Sequence, residues 1–166
     1  SLDMLIKQAA SFFKINCGGG AAYPFVADAF FDAGTTISDT GSVLNTGAYP
    51  DPAPNAVYQS ARLRTGSALG LTYTFTGLIP TASYKVRAHW REFNFTGAGQ
   101  NVFDVEVIGG TTVVLADDLD PWLFFGLNEI GIMEATLQPD GNGQIVVRVI
   151  PTVTTCSING IEILPV

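Results

Sequence analysis

Residues 84–92, YKVRAHWRE, carry the clearest two-residue period in the chain. From Tyr84 onward every second residue is mostly apolar, and the residues between them are basic: Lys85, Arg87, His89 and Arg91. Because successive side chains of a strand point to opposite faces of a sheet, this pattern predicts a strand with one apolar and one basic face. Such a strand is typical of an antiparallel sheet that buries one face, so His89 is expected to be partly exposed.

The same period recurs along the chain. In residues 69–75, LGLTYTF, leucine and aromatic residues alternate with glycine and threonine. Further strands are predicted at residues 12–17, 101–108, 111–116, 129–137, 144–150 and 156–164, with an extended or irregular stretch at 25–31 and turns at 109–110 and 139–143. About nine or ten strands at this spacing predict an all-β fold, a two-sheet antiparallel β-sandwich of the jelly-roll type.

Two segments depart from this period. Residues 2–10, LDMLIKQAA, have helix-like apolar spacing, so residues 1–11 are predicted to be a short N-terminal helix or a linker. Residues 32–55 are rich in Gly, Thr, Asn and Pro and are predicted to form a long loop, a kind of segment that usually carries function or lies beside it. Residues 12–166 are predicted to form the β-sandwich domain.

The composition favours one globular domain and limits its partners. A chain of 166 residues, 47% of them hydrophobic, is long enough to bury a core. Its formal charge of −7 argues against nucleic acid or an anionic membrane as a partner, since those surfaces require clustered Lys and Arg. No apolar stretch approaches the roughly 18 to 20 residues that span a bilayer, so no membrane insertion is expected. Residues 1–14 lack the features of a signal peptide, so any export signal is expected to have been removed or to lie outside the chain.

The two cysteines, Cys17 and Cys156, lie near opposite ends of the chain. If the terminal strands are neighbours, these side chains can form a disulfide, and two buried free thiols are the equal alternative. A bridge would close nearly the whole chain into one loop, worth on the order of 4 kcal/mol, and would indicate an oxidising compartment.

Few groups in the sequence are suited to catalysis. His89 is the only histidine, and Arg87 and Arg91 flank it on the same predicted face, where their charges oppose its protonation. The common zinc-binding spacings of Cys and His are absent. No enzymatic activity and no cofactor are therefore predicted.

One acidic cluster is a candidate for a structural Ca²⁺ site. Asp117, Asp118 and Asp120 lie directly before Pro121 and Trp122, and neighbouring carboxylates are ligands that Ca²⁺ prefers. The spacing of an EF-hand is absent, so a solvated turn between two strands is the favoured interpretation.

Aromatic residues are concentrated in or beside predicted turns rather than at the centres of strands. They are Tyr23, Tyr49, Tyr58, Phe95, Trp122, Phe124 and Phe125. Sugar rings present apolar faces that stack on aromatic rings while polar neighbours bind the hydroxyl groups, so this set favours a glycan-binding surface. Asn94-Phe95-Thr96 is also an acceptor sequence for N-glycosylation in a secreted eukaryotic protein.

Four stretches in this order resemble the malectin and malectin-like family. They are INCGG at residues 15–19, YKVRAHWRE at 84–92, VFDVEVI at 102–108 and SINGIEI at 157–163. The resemblance extends from residue 12 to the end of the chain. It implies a jelly-roll sandwich like that of galactose-binding domains, no catalytic role and a carbohydrate ligand, in a module of a larger extracellular protein or a glycoside hydrolase.

The resemblance also points to individual site residues. Animal malectins stack a glucose disaccharide on a Tyr-Phe pair just beyond the position of Glu92, where this chain has Asn94 and Phe95. A second family tyrosine is replaced by Leu63, a third has Tyr49 as its candidate, and an acidic ligand is replaced around Pro151. The resemblance therefore implies a retained scaffold with a changed disaccharide site.

Two functions follow from these observations. The first is a non-catalytic carbohydrate-binding module at the cell surface or outside the cell. Its predicted partners are an oligo- or polysaccharide, such as a glucan, and neighbouring domains of a larger protein. Its predicted stacking residues are Phe95, Tyr58, Tyr49 and Trp122, and its predicted hydrogen-bonding residues are Asn94, Arg62 and Asp120. The alternative is a structural or adhesive module of an extracellular filament or surface protein that makes protein–protein contacts.

Overall fold

A computed structural model describes residues 12–66 and 68–166. The predicted N-terminal helix or linker lies outside the described residues. The strands in the described part of the chain are β1 Phe13–Asn16, β2 Val26–Ala27, β3 Thr35–Ser38, β4 Ser60–Thr65, β5 Leu71–Phe75, β6 Tyr84–Arg91, β7 Phe103–Ile108, β8 Thr112–Leu119, β9 Ile130–Leu137, β10 Ile145–Pro151, β11 Thr155–Ile158 and β12 Gly160–Pro165. Two short α-helices, α1 Asn55–Tyr58 and α2 Pro121–Phe124, and a 3₁₀ turn at Thr46–Ala48 complete the elements.

The strands form three sheets. The five-stranded sheet has the order β2-β1-β12-β6-β9, the four-stranded sheet β5-β10-β7-β8 and the three-stranded sheet β11-β4-β3. Strand β1 pairs parallel to β2, and the other paired strands run antiparallel. The predicted all-β sandwich is confirmed, with a third small sheet that the sequence did not indicate. No helix among the described residues is long and apolar enough to cross a membrane.

The main core lies between the five-stranded and four-stranded sheets. Val86, Ala88 and Trp90 of β6 belong to the same buried cluster as Phe103 and Val105 of β7. The predicted period of two therefore identifies the inward-facing residues of both sheets correctly. Trp90 also donates a hydrogen bond from Nε1 to the carbonyl of Ser157 at 2.7 Å, which satisfies its buried polar atom.

Three of the four basic residues of β6, Arg87, His89 and Arg91, are buried as well, which corrects the prediction of a half-buried strand. A second cluster of Phe25, Ala53, Val57, Tyr58, Ile130 and Ile132 forms in the described residues. The ring of His89 packs between Phe25 and Tyr58, with ring centroids 5.8 and 5.7 Å away. His89 is 0% exposed, so its predicted partial exposure is wrong. The alternation of a strand does not reveal that another part of the chain covers its polar face.

The segment predicted as one long loop, residues 32–55, contains strand β3 and the 3₁₀ turn. The single strand predicted at residues 156–164 is divided into β11 and β12 at Asn159. The side chain of Asn159 donates to the carbonyl of Ser60 at 2.8 Å and accepts from the backbone of Arg91 at 2.9 Å. These bonds tie the division point to β4 and β6.

The two cysteines are both buried and free, so the disulfide alternative is wrong and the alternative of two buried thiols is confirmed. Burial raises the pKa of the Cys17 thiol strongly. Burial also raises the pKa of Cys156 to about 11. Both thiols are therefore protonated and unreactive at neutral pH.

Candidate functional site

The candidate site lies where β6 ends and three loops meet; residues 41–46, 92–101 and 120–129 are called the loop end. The backbone of Asn128 donates to the carbonyl of Glu92 at 2.9 Å and accepts from Leu44 at 2.8 Å. Ile130 then donates to the carbonyl of Leu44 at 3.0 Å. The three loops are therefore joined to one another and to the start of β9.

A buried carboxylate organises the first of these loops. Glu92 is 4% exposed, and its Oε2 accepts hydrogen bonds from the backbone of Asn94 at 3.1 Å and of Phe95 at 3.3 Å. Its Oε1 accepts from the side chain of Asn101 at 2.8 Å. Burial raises the pKa of Glu92, and its hydrogen bonds act in the opposite direction.

A second buried carboxylate joins this loop to helix α2. Asp120 is the N-cap of α2, where Oδ1 accepts from the backbone of Leu123 at 3.3 Å. Its Oδ2 accepts from the backbone of Gly99 at 2.6 Å. Asp120 therefore holds the loop through hydrogen bonds inside the protein. Because it is 5% exposed, it does not face solvent as the predicted hydrogen-bonding group for a ligand.

Several side chains of the loop end face solvent. Phe124 is 62% exposed and Leu123 64% exposed on the single turn of α2. Phe95 and Trp122 are partly exposed, and Asn94 is exposed. Of the predicted ligand-binding residues, Phe95, Asn94 and Trp122 are thus brought to one end of the sandwich.

Tyr58 is not a stacking platform in this structure, which corrects its predicted role. It is fully buried at the end of α1, where its hydroxyl accepts from the backbone of Ala53 at 3.1 Å and donates to Nδ1 of His89 at 2.8 Å. Nε2 of His89 donates to Glu162 at 2.8 Å. Burial raises the pKa of Tyr58 and lowers the pKa of His89, so both groups are neutral at pH 7. Both ring nitrogens of His89 are engaged inside the protein, away from any external substrate.

Arg62 is also buried, which corrects its prediction as a hydrogen-bonding residue of the site. Its Nε lies 2.7 Å from Oδ2 of Asp28, and its guanidinium stacks on the ring of Phe31 with 3.4 Å between Cζ and the ring centroid. The same guanidinium donates to the carbonyls of Ala33 and Gly34. Arg62 therefore anchors the 28–34 segment.

The remaining predicted positions lie apart from the loop end. Tyr49 is partly buried and packs against the second hydrophobic cluster. Among the acidic residues, Asp104, Asp117 and Asp118 have carboxylate oxygens within 4.8 Å of one another, whereas Asp120 points to α2. The fold therefore places Asp104, and not Asp120, beside Asp117 and Asp118, which corrects the composition of the predicted cluster.

The structure also contains a charged cleft of about 470 Å³ on the outer face of the five-stranded sheet. Lys14, Glu162, Arg87 and Glu134 form one row across β1, β12, β6 and β9, because each is the register partner of the next. Their contacts are 3.3, 2.9 and 2.9 Å long. Sequence analysis missed this row, because the register between strands from distant parts of the chain is not encoded in local alternation.

Comparison with known proteins identifies the fold and the family. The ANX2 ectodomain from Arabidopsis thaliana is similar with a TM-score of 0.78 and 21% identity, over 92% of this chain and 49% of that chain. A structure of the plant peptide RALF23 in complex with FER and LLG2 has a TM-score of 0.75 and 19% identity, over 92% of this chain and 48% of that chain. Bacteroides uniformis β-glucuronidase has a TM-score of 0.70 and 15% identity, over 94% of this chain and 18% of that chain. At these identities the likeness concerns the fold alone.

The chain spans about half the length of the ANX2 ectodomain chain. No curated protein sequence matches it. The model of the malectin domain matches residues 11–138, which is most of the chain. The chain therefore belongs to the malectin domain family.

Proposed function

We propose that this malectin domain is a non-catalytic carbohydrate-binding module and that the loop end is its ligand site. The observation that carries the proposal is that exposed Phe124 and Asn94 and partly exposed Phe95 and Trp122 lie on two loops that a hydrogen bond joins. Aromatic faces stack on the apolar faces of sugar rings, and an amide side chain both donates to and accepts from hydroxyl groups. The loops are held by the buried carboxylates of Glu92 and Asp120, so the rings are preorganised for binding.

The ligand is an oligo- or polysaccharide, with glucans as the first class to test. Membership of the malectin family supports this class of ligand, and the loss of the family's Tyr-Phe pair argues for a sugar other than its disaccharide. A location outside the cell or at its surface is supported by the fold of the ANX2 ectodomain. Because that ectodomain is about twice as long, neighbouring domains of a larger protein are proposed as further partners.

A glycan array followed by isothermal titration calorimetry tests the proposal. Phe95→Ala and Phe124→Ala are each expected to weaken binding by about tenfold, because stacking on an aromatic ring contributes about 1–3 kcal/mol. Phe12→Ala is the matched control, since Phe12 is 54% exposed and lies outside the loop end. Equal affinity in all three variants, or no binding to any glycan, would overturn the proposal.

A second candidate function is a structural or adhesive module that binds a protein. Four large apolar side chains of the loop end are at least 40% exposed: Leu44, Leu123, Phe124 and Leu127. Exposed apolar groups in one region are typical of protein-binding surfaces. Self-association on size-exclusion chromatography that is lost in Leu123→Glu, without any glycan binding, would favour this function over the first.

We also propose that Asn94 is glycosylated when the protein passes through a eukaryotic secretory pathway. Its side chain is exposed and lies in the Asn-Phe-Thr acceptor sequence. A glycan at Asn94 would stand beside Phe95 and obstruct the loop end, so the proposed sugar binding applies to protein without this glycan. Mass spectrometry of the secreted protein before and after enzymatic deglycosylation measures the occupancy of Asn94.

A further inference from the structure

The loop 93–100 is connected near both of its ends to one carboxylate. Oε2 of Glu92 accepts from the backbone amides of Asn94 and Phe95, at 3.1 and 3.3 Å. Oε1 accepts from the side chain of Asn101 at 2.8 Å, on the far side of the loop. The same residue thus holds the backbone that carries the proposed stacking ring and the point at which the loop returns to the sandwich.

The position of Glu92 is itself fixed. It follows the last residue of β6, its carbonyl accepts from Asn128 at 2.9 Å, and it forms a parallel bridge with Leu127. Asn101 is held in turn, because its side chain also donates to Oγ of Ser157 at 2.9 Å. The carboxylate is therefore a rigid link between the sheet and the backbone of Phe95.

We propose that Glu92 is a positioning residue of the loop end. Its ionised carboxylate fixes the backbone of Asn94 and Phe95 in the ligand-binding conformation, and proton uptake by Glu92 weakens ligand binding. An ionised carboxylate accepts stronger hydrogen bonds than a neutral carboxyl group, since the negative charge assists them. The consequence for binding rests on the proposed carbohydrate function. The effect of the charge of Glu92 on the backbone amides of Asn94 and Phe95 does not depend on that function.

The surroundings of Glu92 place its proton uptake closer to neutral pH than that of an exposed glutamate. Burial raises its pKa above 4.5, against the lowering effect of the bonds from Asn101, Asn94 and Phe95. The negative charge of Asp120, from the N-cap of α2, raises the pKa further. Asn101, which donates to the carboxylate, and Ser157, which accepts from Asn101, are uncharged.

The first experiment follows the amide protons of Asn94 and Phe95 by nuclear magnetic resonance as the pH is lowered. Both signals are expected to shift with one shared midpoint above 4.5, the ordinary value for glutamate. The shift should vanish in Glu92→Gln and remain in Glu106→Gln, which removes a strand carboxylate outside the loop end. Separate midpoints, or the same titration in Glu92→Gln, would overturn the proposal.

The second experiment measures the affinity of the wild type and both variants for maltohexaose and cellohexaose at pH 7 and below the shared midpoint. The wild type and Glu106→Gln are expected to lose about tenfold in affinity on acidification, as for one strong hydrogen bond. Glu92→Gln should bind weakly at both pH values. If Glu92→Gln binds like the wild type at both, the positioning role is wrong. If no oligosaccharide binds the wild type at any pH, the carbohydrate function fails, while the amide titration still decides the role of Glu92.

Discussion

At His89, burial favours the neutral imidazole, and the hydrogen bond to Glu162 acts in the opposite direction. The folded protein holds the pKa of His89 below its ordinary value of 6.5, chiefly because burial penalises the charged ring. The unfolded chain takes up a proton near pH 6.5, so the contribution of His89 to stability is present above that pH and is lost as the pH falls toward the folded pKa.

Unfolding in urea at several pH values measures this effect. Below pH 6.5 the free energy of unfolding is expected to fall by up to about 1.4 kcal/mol per pH unit because of His89. His89→Gln keeps a donor for Glu162 and has no charge to gain, so its stability should fall less steeply. Identical slopes in the two proteins would contradict the prediction.

Arg62 has a structural role, and its prediction as a hydrogen-bonding residue of the ligand site is wrong. It pairs with Asp28 at 2.7 Å, and both side chains are 8% exposed. Removing one partner of a buried pair leaves the other charge unpaired, so Arg62→Ala is expected to lower the free energy of unfolding by about 3–5 kcal/mol. Arg148→Ala, at a partly exposed position of β10, should cost much less. Thermal unfolding of both variants measures the difference.

Helix α2 depends on one capping residue because it has a single turn. Asp120→Ala removes the bonds to Leu123 and Gly99 and is expected to destabilise the protein by about 1–3 kcal/mol. It should also weaken ligand binding, since α2 carries Phe124. Asp140→Ala is the control, because Asp140 accepts from Asn142 and Gln144 in a turn outside the loop end. That variant should lose stability and keep its affinity.

The strands differ in how far their sequences predict them. Strands β5, β6, β7 and β10 alternate in burial or in residue type, and local alternation is sufficient to find them. Strand β3 has mostly exposed residues, and β4 buries the polar Ser60 and Arg62. Neither strand has the apolar period that marks a core strand, so their pairing with each other was not predictable from local sequence.

The loop end combines what the sequence predicts with what only the fold supplies. Phe95 and Asn94 were identified by resemblance, and Trp122 by its place beside a predicted turn. The supporting roles of Glu92 and Asp120 depend on bonds to Asn101 and Gly99, which local patterns do not specify. Phe124 was one of several loop aromatics, and its 62% exposure distinguishes it only in the folded protein.

The two cysteine thiols are buried in the folded protein and form no covalent link between the ends of the chain. Strand β1 pairs with β12, so noncovalent contacts alone connect the first described strand to the last. Because Cys17 and Cys156 are both 0% exposed, a thiol reagent such as dithionitrobenzoate reaches them only when the chain unfolds. The native protein is expected to show almost no reaction, and the protein in guanidinium chloride should show two thiols per chain. A reductant should leave the unfolding midpoint unchanged, whereas a bridge of this span would contribute about 4 kcal/mol. A thiol count near zero in denaturant, together with a midpoint lowered by reductant, would contradict the prediction.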